Sequence, residues 1–248
     1  MRLACLCLLS LLAASARAED KLLACTEDAD YPPFTYVDRS SGQRQIRGTT
    51  ADLLDRLGRQ IGMPIEIVMT SLKRCLLGVQ RGIYDIGLDF YKDAERARKF
   101  DYSPPYMALQ PYYYFDKSRY PEGLDVRRKT DLHNYRGCGI IGYSYAHFGL
   151  AEGPKFDISA QSHLTVGRML FAGRCDYFPA AREIVEGYRA MGETEIVDNP
   201  KLGFAPVPDA PAQNIHLIYS RESARLKSLR PAIDAFLVAQ KPTTRAPR

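Results

Sequence analysis

The run Glu95-Arg96-Ala97-Arg98-Lys99-Phe100-Asp101-Tyr102-Ser103-Pro104-Pro105-Tyr106 divides the chain into two sets of strand and helix signals. Upstream, residues 22–26 form a short apolar run that reads as a buried strand, broken by a turn at 30–33. Residues 50–61 carry Leu53, Leu54, Leu57 and Ile61 at helical spacing, 64–69 alternate as a second strand, 74–81 read as a helix ended by Gly82, and 83–88 as a third strand. The pattern restarts after Tyr106. Residues 112–115 read as an aromatic strand, 137–141 as a glycine-flanked apolar one, and the segments from Ser144 onward and over 163–172 as helices. A strand over 175–178 and a helix over 183–191 follow, then a proline-rich linker over 199–212. The chain returns with a strand over 215–219 and a helix over 226–239, Pro231 standing near its first turn. Such alternation argues for an α/β fold with parallel sheet. The restart and the proline-rich return argue for two lobes joined by two crossovers, with the site in the cleft outside the carboxyl ends of the strands. The expected division is a signal peptide over 1–18, lobe 1 over 19–107, lobe 2 over 111–205, a return of lobe 1 over 212–240 and a disordered tail over 241–248.

The N-terminus reads as an export signal. Arg2 precedes an apolar stretch over 3–14, too short to span a bilayer, and Ala16-Arg17-Ala18 offers a small-x-small cleavage site. Cleavage after Ala18 places the protein in the periplasm. The net charge of +5 is spread among acids rather than gathered in a stripe, which argues against nucleic-acid binding. Cys5 and Cys7 leave with the signal, so Cys25, Cys75, Cys138 and Cys175 remain, an even number in an oxidising compartment. Their wide spacing does not suit a zinc site, so disulfides are expected, with three connectivities open. No metal and no cofactor are expected.

Several segments carry a family resemblance. Asp28-Ala29-Asp30-Tyr31-Pro32-Pro33-Phe34, residues 48–61 and Gly82-Ile83-Tyr84-Asp85-Ile86-Gly87 contribute, and the 95–106 run is similar to the signature ERAK-hydrophobic-DFS-x-PY almost position for position. Tyr135-Arg136-Gly137-Cys138-Gly139-Ile140-Ile141-Gly142-Tyr143-Ser144 and Gly173-Arg174-Cys175-Asp176 match further motifs. Together they resemble the family 3 extracellular solute-binding proteins, the polar amino-acid-binding group that feeds ABC importers. The resemblance implies a type II periplasmic-binding-protein clamp, a monomer closing over one small ligand and handing it to a membrane permease.

It also implies roles. Arg96 matches the arginine that grips a ligand carboxylate, and a planar fork of donors suits that task as lysine does not. Ser144 matches a donor at a helix start beside the same carboxylate, with Tyr143 next to it, and Tyr31 an aromatic wall. Asp28 matches a position that contacts ligand side chains in binders of basic amino acids. The departures are equally informative. Leu72 stands where a second aromatic wall is common, and Asp89, Phe90 and Tyr91 replace small residues. Ala181 falls where the family places an acid for the ligand ammonium, leaving Glu183 or Asp89 to substitute. If neither does, the ligand lacks an α-amino group.

Two other function classes remain open. Some relatives on this scaffold are dehydratases using a cleft carboxylate, and Asp89 is the candidate general acid. His133, His147, His163 and His216 are scattered, and His147 reads as a surface helical residue. Alternatively the chain is a sensory or accessory binder for a membrane partner. For the cysteines, a helix crossing from the second strand to the third passes over the first, which favours Cys25–Cys75; Cys138–Cys175 then joins neighbouring strands of the second lobe.

Overall fold

A computed structural model describes residues 20–40 and 42–240. The signal peptide over 1–18 and the tail over 241–248 lie outside the described residues.

The first sheet starts from β1 (Leu22–Glu27), whose residues Leu22, Ala24, Cys25 and Thr26 are buried. After a short hairpin of β2 (Tyr36–Asp38) and β3 (Gln45–Arg47), helix α1 (Thr49–Ile61) buries Thr50, Leu53, Leu54, Leu57 and Gly58. Those positions repeat at three and four residues, one stripe of a helix facing the sheet. Gly62 at φ 68° ends α1 in the left-handed region that glycine adopts freely. Strand β4 (Ile65–Thr70) then pairs parallel to β1. Helix α2 (Leu72–Gln80) leads to β5 (Ile86–Tyr91), also parallel to β1. This third strand begins three residues later than its apolar run suggests. Gly82 at φ 73° turns the chain, Ile83 and Tyr84 bond back to the Gly78 carbonyl, and Ile83 stays 59% exposed.

Helix α3 (Ala94–Lys99), β6 (Asp101–Tyr102) and β7 (Met107–Leu109) follow. The last strand, β13 (Gln213–Tyr219), runs antiparallel to β5, β6 and β7, giving the order β4-β1-β5-β13-β6. Helix α6 (Ala224–Ala239) closes this half. Pro231 is its eighth residue, in the helix interior rather than near its first turn.

The second sheet has the order β10-β9-β11-β8-β12. Its strands are β8 (Pro111–Asp116), β9 (Gly137–Ile140), β10 (Phe156–Ala160), β11 (Tyr177–Ala181) and β12 (Leu202–Pro206). Helices α4 (His163–Phe171) and α5 (Arg182–Gly187) pack on it. β9, β10 and β11 are parallel, whereas β8 and β12 are antiparallel to their partners. β12 corrects the expectation of a linker over 199–212. Its backbone pairs along β8 from Asp116 to Tyr112, so Pro206 only terminates an edge strand, where a missing N–H is tolerated. The helix expected from Ser144 is also corrected: only a three-residue 3-10 turn, Ala146–Phe148, forms there. Gly142 at φ 81° and Gly149 at φ 72° bend the chain on either side and leave no room for more.

Two connections join the sheets, one at Gln110 and one over 207–212. Each half carries a disulfide. Cys25 on β1 bonds Cys75 on α2, and Cys138 on β9 bonds Cys175 just before β11, with Cα–Cα distances of 5.5 and 5.8 Å. The halves also pack against each other, since Ala181, Ile184 and Tyr188 join the cluster that holds Leu22, Leu54 and Ile215.

Candidate functional site

The carboxyl ends of β1 and β5 place Glu27 and Tyr91 at one edge of the first sheet. The turn after β9, residues 142–144, meets them from the second half. Between these elements lies a small cavity, open to solvent at its mouth. It is lined by Thr26, Glu27, Tyr31, Leu72, Leu88, Asp89, Phe90, Tyr91, Arg96, Tyr143 and Ser144. Eight of the ten residues proposed from sequence therefore come together here: Tyr31, Leu72, Asp89, Phe90, Tyr91, Arg96, Tyr143 and Ser144.

Arg96 is held by its surroundings on three sides. Asp93 caps α3 by accepting from the Arg96 backbone N–H at 2.8 Å, and its carboxylate also lies 3.4 Å from the guanidinium Nε. The guanidinium carbon sits 5.4 Å from the Phe90 ring centroid, and Nη2 donates to the Gly142 carbonyl across the cleft at 3.2 Å. Its side chain is only 14% exposed. Among the described residues Nη1 has no protein partner, so a donor of a fixed, planar fork is left over at the cavity wall.

Asp89 is engaged differently from either role read in the sequence. Its backbone has φ 63°, a left-handed conformation that Asp tolerates better than most non-glycine residues. Its carboxylate accepts from the hydroxyls of Thr35, Thr50 and Tyr106 at 2.9, 2.9 and 2.6 Å. Burial pushes its pKa up, opposed by those three hydroxyls. The group ties the Tyr31 turn, α1 and β7's approach to β5, and its oxygens are already taken. Replacing Asp89 by Ala would leave buried Thr35, Thr50 and Tyr106 hydroxyls short of an acceptor, and thermal or denaturant unfolding should show a loss of about 2–4 kcal/mol. Asp89→Asn should lose less, because it keeps one acceptor oxygen and suits the same backbone. Equal losses for the two variants would refute this account.

Ser144 lies on the cavity wall but heads no helix, so the helix-terminus anion site expected there is absent. Glu183 lies outside the cavity. It stands in the first turn of α5, and its carboxylate accepts the Gln110 backbone N–H at 3.2 and 3.4 Å, facing the crossover rather than the cleft. Asp28 lines a broader neighbouring groove that shares Glu27 and Leu72 with the first cavity and adds Asp30, Lys73 and Gly142.

Two cavity features escaped the sequence reading. Glu27 ends β1 and accepts a hydrogen bond from the Tyr143 hydroxyl across the cleft. Glu27 is partly buried and lines both the cavity and the groove beside it; loss of solvation pushes its pKa up to about 8, the Tyr143 bond and Arg96 opposing this and Asp89 and Asp28 adding to it. A polar residue closing an apolar strand was the available signal. His147, in the 3-10 turn Ala146–Phe148 and outside the cavity lining, is partly buried rather than on the open surface: it stacks on the cavity residue Tyr91 with ring centroids 4.3 Å apart, and burial, with a smaller push from Arg96, lowers its pKa to about 4.

The halves make further direct contacts. Tyr188 donates to the Asp30 carbonyl at 3.0 Å, and a Cβ on Gly187 would stand 2.5 Å from the Pro32 carbonyl carbon. Among the described residues no cluster of three or more His, Cys, Asp or Glu could hold a metal, and no helix is long and apolar enough to cross a membrane.

Solved structures with this fold include an amino acid ABC transporter substrate-binding protein, AbpA from Streptococcus pneumoniae, bound to L-arginine. It is 20% identical, with 88% of each chain covered and a TM-score of 0.70. The arginine-, lysine-, histidine-binding protein ArtJ from Geobacillus stearothermophilus is 18% identical over 89% of each chain, at TM-score 0.70. A histidine kinase sensor domain with similarity to periplasmic binding proteins is 21% identical, covering 90% of this chain and 91% of its own, also at 0.70. No curated protein gives a significant sequence match. The fold is thus the mixed α/β two-lobed clamp of type II periplasmic binding proteins. The bacterial extracellular solute-binding proteins, family 3, match residues 23–241, nearly the whole of the described chain, and this protein belongs to that family.

Proposed function

We propose that this protein is exported to the periplasm, captures one small carboxylate-bearing solute between its lobes and delivers it to the permease of an ABC importer. The observation that carries this reading is Arg96: a guanidinium fixed by Asp93 and Phe90, mostly shielded from solvent, with a donor unused by the protein at the cavity wall. Such a fork pairs with a carboxylate through charge-assisted hydrogen bonds. Tyr31, Leu72, Phe90, Tyr91 and Tyr143 supply the largely apolar walls common in small-molecule sites. Catalysis is not part of the reading, because Asp89, the carboxylate considered as a general acid, is consumed by three hydroxyls. Native mass spectrometry of protein purified without denaturation should find a bound carboxylate. Recovery of a ligand lacking any carboxylate would overturn the assignment.

Closure offers a second check. Gly187 touches the Pro32–Pro33 backbone from the opposite half, and the nearest atoms are backbone that cannot swing away. Gly187→Ala should oppose the closed form and leave the separated lobes intact. Overpacking of this kind costs about 1–3 kcal/mol, so calorimetric affinity should fall roughly 5- to 150-fold. An unchanged affinity would show that ligand capture does not need this contact.

A further inference from the structure

We propose that Glu27 serves the cavity as a neutral carboxyl group, so that ligand capture takes up a proton and the site selects carboxylates whose second polar group is an uncharged oxygen, hydroxyl or keto, over those bearing an ammonium. This rests on the carboxylate reading above and narrows its ligand class.

The geometry carries the proposal. Glu27 is the last residue of β1, walled by both halves and bonded across the cleft to Tyr143. Among the described residues no Lys, Arg or His forms an ion pair with it; Arg96 contacts Asp93 and Gly142 and keeps its remaining donor for the ligand. The charged and titratable groups around Glu27 are Asp28 from its own loop, Asp89 from β5, Arg96 from α3 and Tyr143 from the turn after β9, with Asp30 and Lys73 of α2 on the adjoining groove that Glu27 also lines. Tyr31, Tyr145 and Tyr188 feel its charge as well. Partial burial together with the neighbouring carboxyls Asp89 and Asp28 disfavours a carboxylate anion, while Arg96, already paired with Asp93, and Lys73, which makes no ion pair with Glu27, favour it less. A protonated carboxyl can accept from Tyr143 through one oxygen and donate through the other.

The acids that the sequence offers for an α-ammonium are engaged elsewhere, and Asp28 lies in the adjoining groove rather than on the cavity wall. Asp89 takes three hydroxyls, Glu183 takes the Gln110 N–H, and Ala181 carries no charge. The ligand carboxylate at Arg96 brings a further negative charge beside Glu27, which strengthens the preference for the neutral acid.

The sign follows from linkage. A carboxyl of ordinary pKa in the open form and raised pKa in the closed one gains a proton on closure, so affinity falls as pH rises through the closed-form value. His147 and His163, both lowered from 6.5 to about 4 by burial, would release protons on closure; in the open form each is about one quarter protonated at pH 7 and neutral by pH 9, so together they release about half a proton at pH 7 and raise affinity less than about twofold across that window. Among these groups the window from pH 7 to pH 9 therefore reports mainly on Glu27, whose effect is the larger and of opposite sign. With the closed-form value near 8, Glu27 should lower affinity about tenfold across that window.

The test is calorimetric titration of the mature protein with matched pairs of 2-hydroxy, 2-keto and 2-amino acids, lactate, pyruvate and alanine being the smallest set. Each is run at pH 7 and 9, in phosphate and in Tris, whose different ionisation enthalpies reveal proton exchange. The expected result is a net uptake of roughly half a proton per ligand at pH 7, a weaker response to the amino member of each pair, and, in Glu27→Gln, loss of both that uptake and the fall in affinity toward pH 9. Arg96-dependent binding that prefers the amino acid and takes up no proton would make Glu27 an ionised counter-charge and overturn the proposal alone. If no carboxylate binds in an Arg96-dependent way, the broader reading fails and takes this one with it.

Discussion

Arg96→Ala should cost this protein most of its ligand affinity while leaving the fold intact. The guanidinium is mostly shielded, anchored by Asp93 and braced on Phe90, so it meets an incoming carboxylate without reorganising. Removing one partner of a desolvated charge pair costs about 2–5 kcal/mol, which corresponds to roughly a 30-fold to several thousand-fold loss. Arg96→Lys should recover only part of this, since a point charge cannot reproduce the fork. Stability should survive both changes, because the bond from the Arg96 backbone N–H to Asp93 that caps α3 does not use the side chain. Arg98 is the internal control. It is exposed, its carbonyl receives Arg221, and Arg98→Ala should bind almost normally. Titration of all three variants with the co-purified ligand decides the matter; binding by Arg96→Ala within threefold of the unmodified protein would remove the anchor role.

The largest stability effect should come from the Cys25–Cys75 bridge. It ties β1, the centre of the parallel pairing, to α2 across a separation of 50 residues. Both cysteines are fully buried beside Val79, Phe90, Phe100 and Ile218. Closing a loop of that length removes denatured-state entropy worth about 4 kcal/mol in the chain-entropy account. For a protein of this size that corresponds to a fall in Tm of roughly 8–16 °C. The Cys25→Ala/Cys75→Ala double variant, followed by calorimetric melting, should show such a drop, and dithiothreitol should lower the Tm of the unmodified protein further still by opening Cys138–Cys175 as well. A double variant that melts within two degrees of the parent would mean the bridge constrains nothing the fold does not already hold.

What could be read from the chain alone follows from local periodicity. The stripe of Leu53, Leu54 and Leu57 and the apolar run of β1 are statements about which face must leave water, and these identified the strand–helix alternation and the two halves. Signature residues flanking Arg96 identified the family, and most of the cavity lining came with them. Local readings failed where a segment's state depends on a distant partner. β12 contains Gly203 and Pro206 and forms because β8 offers it a ladder, which no property of 199–212 announces. The segment after Ser144 has ordinary helical residues, and two glycines in left-handed turns cut it short.

The sequence by itself determined the fold class, the family and the presence of an arginine suited to a carboxylate, because these rest on side-chain pattern and chemistry that neighbours along the chain supply. Only the tertiary structure decided which acids are free to meet a ligand. Asp89, Glu183 and Glu27 are equally acidic in the sequence, yet three hydroxyls claim the first, the crossover N–H of Gln110 claims the second, and the third lines the cleft with no ion-pair partner among the described residues. The physical reason is that a carboxyl's charge and availability depend on burial and on partners brought from up to 116 residues away, as Tyr143 is to Glu27.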